Sequence, residues 1–509
     1  MTTQTSLAKA FDARKSFIAH RASAVYPLRV REQGDLHIVF LNYWLLKNDI
    51  PAVGVTFRVY DTQGTLRARQ SLERVELHNQ ISVRDSILSP NALSVPFDGM
   101  IEIEIVSHVN LSFPFPAILG IYESQGHFST VHGAGRIKNA DELKKPQRSE
   151  ETNWTCKFEP SDQGFEVVPF FHYFVGATPL PPDESLTVCL RDVSGKVTAS
   201  VEVPVGEMGP FSSRVFFADE LFDLDKSKPP GEGAFLSLKL RGHDVFPRLV
   251  VGNFHRSLDF LEVTHSFPVT EFTDHCPVPQ AIAEGQGFPS LLAAQTAPGL
   301  ELEVRVFPTN CPGTAQAFTQ SKSYSDQRLR EAGQAFDVDS SVGTAGLNFT
   351  LSPDEEMRVL HLQGKTIPSR LNASYLYRVA GAPRRFSTDI ATGAKSIVYP
   401  PKWRHWGHGC IGGGFDTVVL FRNNTHVPQD TRSNAGEIRF LGTNLDRVVK
   451  LSVGIESCVA LRLSEVLDID AQSGTPAFVS WIMSMEQPVG ETFWVAFRPD
   501  GAVFGEHGF

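Results

Sequence analysis

The sequence repeats one order of β-rich segments, and this repetition constrains the fold more than any other feature. In each copy, a β-rich stretch and a polar or glycine-containing turn lead to a strand that ends in a short acidic turn with leucine. The first copy has such segments at 57–64 and 81–88, and the second has them at 188–195 and 215–222. Self-similarity at a long, fixed spacing is typical of tandem structural units. We therefore expect several related domains instead of one continuous core.

The spacing of the repeats predicts the fold class. A chain of 509 residues exceeds what one hydrophobic core usually supports. Units of about 100 residues with roughly seven short strands are typical of immunoglobulin-like sandwiches, and a jelly roll has only one strand more. We predict an all-β fold of four tandem, divergent β-sandwiches of one of these two kinds. The predicted boundaries are 1–34 for an N-terminal helix and lead-in, 35–140 for the first sandwich, 141–164 for a linker, 165–270 for the second sandwich, 271–299 for a linker, 300–400 for a degenerate third sandwich and 401–509 for the fourth.

Residues 5–22 are the best helix candidate in the sequence. Leu7, Phe11 and Ile18 fall on one apolar stripe, and basic residues occupy the other positions. A basic amphipathic helix suits a membrane-surface anchor or a transit peptide. We favour the simpler interpretation, in which a short amphipathic helix docks on the first sandwich and makes no membrane contact.

The segment 100–105 alternates apolar residues with glutamates at 102 and 104. Strict alternation predicts a half-buried strand, because successive side chains of a strand point to opposite faces of the sheet. We expect Glu102 and Glu104 to face water.

Composition excludes several classes of function. A net charge of -10 argues against nucleic acid as a partner, since phosphate binding needs a clustered basic face. No apolar run is long enough to span a bilayer, and no secretory signal is recognisable. Six cysteines without a CxxC pair fit a reducing compartment. The expected location is cytoplasmic, with leaderless export left open.

The segment 403–410 holds the densest set of groups that could carry chemistry. His405, His408 and Cys410 lie within six residues, and their imidazole and thiolate groups suit zinc or copper. Their spacing matches no standard metal site, so we otherwise expect no cofactor. The alternative that we prefer is a joint between the third and fourth units, where Trp403 and Trp406 are buried or contribute to binding.

Histidines recur at the same phase of the strand that closes three of the four repeats, at His132, His265 and His507. The third repeat has Ala391 and Thr392 in this place. One metal ion could join the three histidines only if the units were packed in a ring. We favour the alternative that each imidazole makes the same local hydrogen bond within its own unit.

These patterns favour a non-catalytic protein, although they leave the question of enzyme activity open. The sequence has no GxSxG elbow and no HExxH motif. The function that we expect is binding or assembly, in which sandwich faces and loops engage a glycan, another protein or copies of the chain itself. The alternatives are a metal-dependent or carbohydrate-active enzyme with its site at the joint of the third and fourth units, and a self-assembling scaffold or sheath.

Overall fold

Antiparallel β-strands form most of the described structure and the described helices are short, which confirms the all-β fold class. The structure is a computed structural model, and it describes residues 18–111, 113–133, 135–144, 150–240, 244–246, 248–268, 275–277, 290–308, 315–320, 334–338, 347–351, 357–363, 366–368, 370–382, 386–396, 402–422, 433–454 and 458–509. Across these ranges, no helix has the length and apolar character needed to cross a membrane.

Unit one contains two four-stranded sheets, in the orders β1-β6-β3-β4 and β5-β2-β7-β8. Its strands are β1 (Arg21–Val30), β2 (Gly34–Leu41), β3 (Gly54–Asp61), β4 (Leu66–Ser71), β5 (His78–Ser82), β6 (Phe97–Val106), β7 (Leu119–Ser124) and β8 (His127–His132). Its helical segments are α1 (Tyr43–Asn48), a π-helical turn (Arg84–Leu88), a 3₁₀ turn (Ser89–Asn91) and α2 (Ala140–Leu143).

Unit two contains the sheets β13-β12-β15-β9-β18 and β10-β11-β16-β17, and β14 also pairs with β11. Its strands are β9 (Glu150–Thr155), β10 (Glu159–Ser161), β11 (Gly164–Phe174), β12 (Ser185–Arg191), β13 (Val197–Pro204), β14 (Ser213–Phe217), β15 (Phe235–Leu240), β16 (Val250–His255), β17 (Phe260–His265) and β18 (Phe267–Pro268). The short helix α3 (Ala218–Leu221) follows β14.

Unit three forms one eight-stranded sheet, β23-β22-β25-β20-β28-β27-β21-β24, and a small pair of β19 with β26 lies apart from it. The strands are β19 (His275–Pro277), β20 (Ser290–Gln295), β21 (Leu300–Val306), β22 (Ala315–Gln320), β23 (Gln334–Val338), β24 (Leu347–Leu351), β25 (Met357–Gln363), β26 (Thr366–Pro368), β27 (Arg370–Val379) and β28 (Thr388–Ser396).

Unit four returns to two sheets, β29-β34-β31-β32 and β33-β30-β35-β36. Its strands are β29 (Lys402–Ile411), β30 (Asp416–Arg422), β31 (Asn434–Gly442), β32 (Leu445–Val453), β33 (Cys458–Arg462), β34 (Ala477–Val489), β35 (Phe493–Phe497) and β36 (Val503–His507). The helix α4 (Leu463–Leu467) follows β33.

One strand order underlies all four sets. If the eight principal strands are numbered within each unit, they pair as 4-3-6-1 and 5-2-7-8 every time, with β10, β18, β19 and β26 as additions. In unit three the two halves are joined by the short pairing of β20 with β28. The acidic turns of the repeated sequence pattern become the π-helical turn, α3 and α4, each directly after the fifth strand of its unit.

The first strand of three units begins earlier than predicted. The strand β1 lies in the predicted lead-in, β9 in the predicted linker 141–164 and β20 in the predicted linker 271–299. The predicted helix 5–22 is wrong at its end, because Arg21 and Ala22 open β1. The prediction for residues 5–17 lies outside the described residues. The sequence of β9, EETNWT, is mostly polar, so hydrophobic patterning does not detect it.

The prediction that the glutamates of 100–105 face water is wrong for Glu102, whose side chain is 1% exposed. The strand β6 lies between β1 and β3, which bring Arg21 and Arg58 to either side of the glutamates. Glu102 accepts hydrogen bonds from Arg21 at 2.6 Å and from Arg58 at 3.2 Å. Glu104 accepts from the same two arginines. Flanking guanidinium groups thus replace water around these carboxylates.

The eighth strands of the four units meet in a ring, in which β8 contacts β17, β17 contacts β28, β28 contacts β36 and β36 contacts β8. The Val263 N–H donates to Ser129 Oγ at 2.7 Å across the first contact. Apolar clusters continue across the same boundaries; one of them joins Val39, Leu119 and Ile121 of unit one to the core of unit four. The ring therefore covers the eighth strands of units one, two and four, which lie at the ends of their sheets.

Candidate histidine centre

The three closing-strand histidines come together where the eighth strands meet. Suitable ligand atoms of His132, His265 and His507 lie within 4.8 Å of one another. Each histidine is paired with the first residue of the seventh strand of its unit, namely Leu119, Val250 and Phe493 respectively. Our expectation of three separate sites is thus wrong, because the ring packing that a shared site requires is present.

Small residues after two of the histidines allow this close approach. A Cβ atom on Gly133 would lie 2.8 Å from the Pro116 carbonyl oxygen, and one on Gly508 would overlap Thr492 Oγ1. Real Cβ atoms do not approach this closely, so both positions require glycine. The backbone after His132 and His507 can therefore pack directly against its neighbours.

The Nδ1 atoms of all three rings contact oxygen acceptors. His132 Nδ1 lies 3.1 Å from Glu506 Oε2, His265 Nδ1 lies 3.1 Å from the Ser266 carbonyl oxygen, and His507 Nδ1 lies 3.0 Å from the Gly508 carbonyl oxygen. For His265 and His507 the predicted local hydrogen bond is present, whereas His132 uses a carboxylate of unit four. Carbonyl and carboxylate oxygens only accept hydrogen bonds, so each Nδ1 carries the proton.

The guanidinium of Arg248 lies on the other side of two of these rings. Its Nη2 atom donates to His132 Nε2 at 2.9 Å and also to His265 Nε2. One donor atom thus reaches the lone pairs of two imidazoles from different units. The Arg248 side chain is half-buried.

Burial controls the electrostatics of the cluster. Burial, reinforced by the positive charge of Arg248, holds the pKa of His265 well below its ordinary value. Burial also raises the pKa of Glu506, although the neighbouring His507 acts in the opposite direction. The ring of Phe509 lies 5.2 Å from His132 and closes one side of the cluster. Side chains therefore pack closely around the centre, in which His132 and His265 are buried and His507 is partly exposed.

The predicted ligands His405, His408 and Cys410 do not form a cluster of ligand atoms in the described structure. They lie on the strand β29 and not on a glycine-flanked loop. Because side chains alternate along a strand, His405 faces away from His408 and Cys410. Burial raises the pKa of the Cys410 thiol far above its ordinary value, which disfavours the thiolate that a metal needs. A metal site at this segment remains a prediction that the described geometry does not favour.

Trp406 is buried at a joint between units, as our preferred alternative expects, but the joint connects units one and four and not units three and four. Its ring stacks on Tyr43 of unit one with centroids 4.8 Å apart and lies 4.6 Å from Phe509. Trp406 is 1% exposed. The side chain of Trp403 lies outside the described residues.

The same joint contains a polar bridge. Ser480 Oγ lies 2.8 Å from His78 Nδ1 of unit one and 2.9 Å from His408 Nδ1 of unit four. Burial lowers the pKa of His78 to about 4 and holds the pKa of His408 well below its ordinary value. Both rings are therefore neutral near pH 7, and the bridge orients the joint without carrying charge.

A second buried carboxylate joins units two and three. Asp389 at the start of β28 accepts a hydrogen bond from Thr155 Oγ1 of β9. Burial raises the pKa of Asp389 to about 6, although the hydrogen bond from Thr155 acts to lower it. The folded protein therefore holds this proton more tightly than the unfolded chain does.

We expect Asp389→Asn to stabilise the protein at pH 8 and to have little effect at pH 4. The pKa of Asp389 is higher in the folded state, so the stabilisation from its proton is complete below about pH 4 and is lost as pH rises through 6. The gain at pH 8 is on the order of 3 kcal/mol. Thermal unfolding at the two pH values measures it. Thr155→Val removes a donor to the carboxylate, so it should destabilise the protein more at pH 8 than at pH 4. Equal effects of Asp389→Asn at both pH values would contradict a raised pKa of Asp389 in the folded state.

Sequence patterns identify the three histidines but not their partners. Arg248 stands where the aligned segment of unit one has Ala117, so it belongs to no repeated pattern. Glu506 directly precedes His507, yet it contacts His132 across a unit boundary. The glycines after His132 and His507 are the local signal that could have indicated close packing at these positions.

No family model matches this chain, and no curated protein sequence was found to be similar to it. Among solved structures, the chain is similar to trypsin-activated alpha-2-macroglobulin from Escherichia coli, with 7% sequence identity and a TM-score of 0.12. The match covers 93% of this chain and 30% of that chain. A TM-score this low carries no argument about function.

Proposed function

We propose that this protein is a non-catalytic assembly protein whose copies associate through the free edge of strand β13. The observation that carries the proposal is the contrast between the edges of the units. The eighth strands cover one another in the ring, whereas β13 lies at the end of its sheet and is exposed along most of its length. An unpaired edge presents backbone N–H and C=O groups that can pair with another strand.

The edge of β13 carries less charge than the corresponding strands, although Pro204 ends it. The fourth strand of unit one, β4, has Arg67 and Arg69 within its six residues. The fourth strand of unit four, β32, carries three charged residues. In β13, Glu202 is the only charged residue among eight. Charges on an edge strand oppose pairing between chains, so β13 is the edge best suited to association among these three strands.

The sequence of β13 is compatible with pairing to itself. An antiparallel pair of two β13 strands around a twofold axis at Ser200 places Thr198 opposite Glu202 of the second copy. The Glu202 carboxylate of each copy then faces the Thr198 hydroxyl of the other copy, and the two carboxylates do not face each other. Such a self-complementary contact gives a closed dimer, the commonest form of protein assembly. A second copy of the chain is therefore the partner that we propose.

We expect the protein to show concentration-dependent dimerisation and Ser200→Lys to weaken it. The exposed Ser200 would meet its own copy at the axis, so the substitution sets two ammonium groups directly opposite each other. The dissociation constant should rise by about tenfold or more. Light scattering across a concentration series measures both effects.

Ser452→Lys on the exposed edge of β32 is the matched control and should leave the dissociation constant unchanged. A protein that stays monomeric at all concentrations, or a dimer that Ser200→Lys does not weaken, would argue against this function. In that case a glycan or a different protein becomes the better expectation for the ligand.

The rival hypothesis of a metal-dependent or carbohydrate-active enzyme at the joint of units three and four has less support. Its residues lie on β29, where His408 and Cys410 face unit one and are enclosed by apolar side chains. A substrate would need access to groups that are buried.

A further inference from the structure

We propose that His132, His265 and His507 form a binding site for one divalent transition-metal ion of the zinc type, which joins units one, two and four. The proposal is independent of the association through β13, because it rests on the centre of the ring and not on its outer edges. The argument has three parts, which concern the protonation of the rings, the distances between them and the position of Arg248.

The protonation of the rings is the one that a metal site requires. Each Nδ1 faces an oxygen acceptor and therefore carries the proton, which leaves the lone pair on Nε2. Histidines that bind metals almost always donate their second ring N–H to a carboxylate or a backbone carbonyl, because this contact fixes the ring and increases its basicity. Here one ring uses Glu506 and the other two use carbonyl groups. Three histidines from different units share this arrangement.

The distances suit a single ion. One ring nitrogen from each of the three histidines lies within 4.8 Å of the other two. Zinc binds imidazole nitrogen at about 2.0–2.1 Å, so shifts of roughly 1 Å per ring would bring all three atoms into contact with one ion. Neutral imidazoles are good ligands for zinc, and three of them leave a fourth position of the tetrahedron for another ligand.

Arg248 marks the place that the ion would take. Its Nη2 atom donates to the lone pairs of both His132 and His265, so a cationic group already lies where these two rings point. A metal ion and a guanidinium cannot share this place, because both are positively charged and both need the same lone pairs. The half-buried side chain of Arg248 must therefore turn outward when the ion binds. Removing Arg248 should strengthen metal binding.

Titration of the full-length, metal-free protein with Co²⁺ and Zn²⁺ tests the proposal. We expect one ion per chain, a tetrahedral Co²⁺ absorption spectrum that Zn²⁺ abolishes, and a higher unfolding temperature with metal bound. His507→Ala should weaken binding by more than about 100-fold, since loss of a mere hydrogen-bonding partner of a ligand typically costs 10–100-fold. Arg248→Ala should bind more tightly than the wild type.

His408→Gln is the matched control, because it also replaces a buried histidine but lies outside the cluster. Its metal affinity should equal that of the wild type. Stoichiometric binding that His507→Ala leaves unchanged would overturn the proposal, as would a wild-type protein that binds neither ion. Metal binding by Arg248→Ala but not by the wild type would also overturn it, since the guanidinium would then always occupy the place of the ion. Because His507 is partly exposed on its strand, its substitution should not prevent folding, and the far-ultraviolet circular dichroism spectrum checks this.

Discussion

Trp406→Ala is expected to lower the free energy of unfolding by about 3–5 kcal/mol, the range typical for loss of a large buried aromatic side chain. Trp406 is fully enclosed and stacks on Tyr43 of unit one at 4.8 Å. Its removal opens a cavity at the joint between units one and four, which the two rigid sheets can fill only partly. Thermal or denaturant unfolding, followed by tryptophan fluorescence and circular dichroism, measures the loss.

The position of Trp406 between units adds a second expected effect. Limited proteolysis should cleave the variant faster at the surfaces of units one and four, because the contact that holds them together is weakened. Phe113→Ala is the matched control, since Phe113 is 57% exposed and its loss should change stability by no more than about 0.5 kcal/mol. If Trp406→Ala were as stable as this control, the aromatic stack would not hold the joint.

His172→Leu is expected to remove a measurable part of the acid sensitivity of the protein. His172 is 1% exposed on β11, and neither ring nitrogen has a hydrogen-bond partner among the described groups. Burial lowers the pKa of His172 to about 3. The folded state thus keeps this ring neutral at pH values where the unfolded chain binds a proton.

The sign of the effect follows from this difference in proton binding. The contribution of His172 to stability is fully present above the unfolded pKa of about 6.5 and is lost as pH falls toward 3. Between pH 7.5 and pH 5 the wild type should therefore lose about 2 kcal/mol more stability than His172→Leu does. Denaturant unfolding at both pH values gives the difference directly.

Phe174→Leu is a suitable control for His172→Leu. Phe174 lies two residues further along β11, its ring stacks on His172 at 5.7 Å, and it does not titrate. This variant should lose similar stability at both pH values. A difference between the wild type and His172→Leu that does not depend on pH would show that the ring is not held neutral by burial.

The strand content and the repetition of the fold could be predicted from sequence, because alternation and turn residues are local signals. The first strands β9 and β20 could not, since they fall in segments that read as linkers and gain stability from the strands on either side. The prediction for Glu102 is wrong for the same reason, namely that a local pattern does not show the neighbouring strands. A periodic pattern predicts which side chains share a face, but not that two arginines from neighbouring strands cover that face.

Local sequence patterns predict only part of the histidine centre. The common phase of His132, His265 and His507 is visible in the sequence, whereas their convergence depends on how separate units pack. The segment around Trp406 shows the opposite case. Its histidines and cysteine are close in sequence, yet strand geometry separates His405 from the other two. Proximity along the chain is thus a weak guide to ligand clusters on strands.

The closed ring also has a consequence for biosynthesis. Unit one contacts unit four, and the hydrogen bond between His132 and Glu506 spans 374 positions of the chain. A ribosome makes the chain from its N-terminal end, so unit one is complete before unit four has been translated. Until unit four has folded, apolar residues such as Leu119 and Ile121 lack the side chains of unit four that pack against them. The nascent chain is therefore most prone to aggregate just before unit four emerges, and chaperones that bind exposed apolar segments should engage it at that stage.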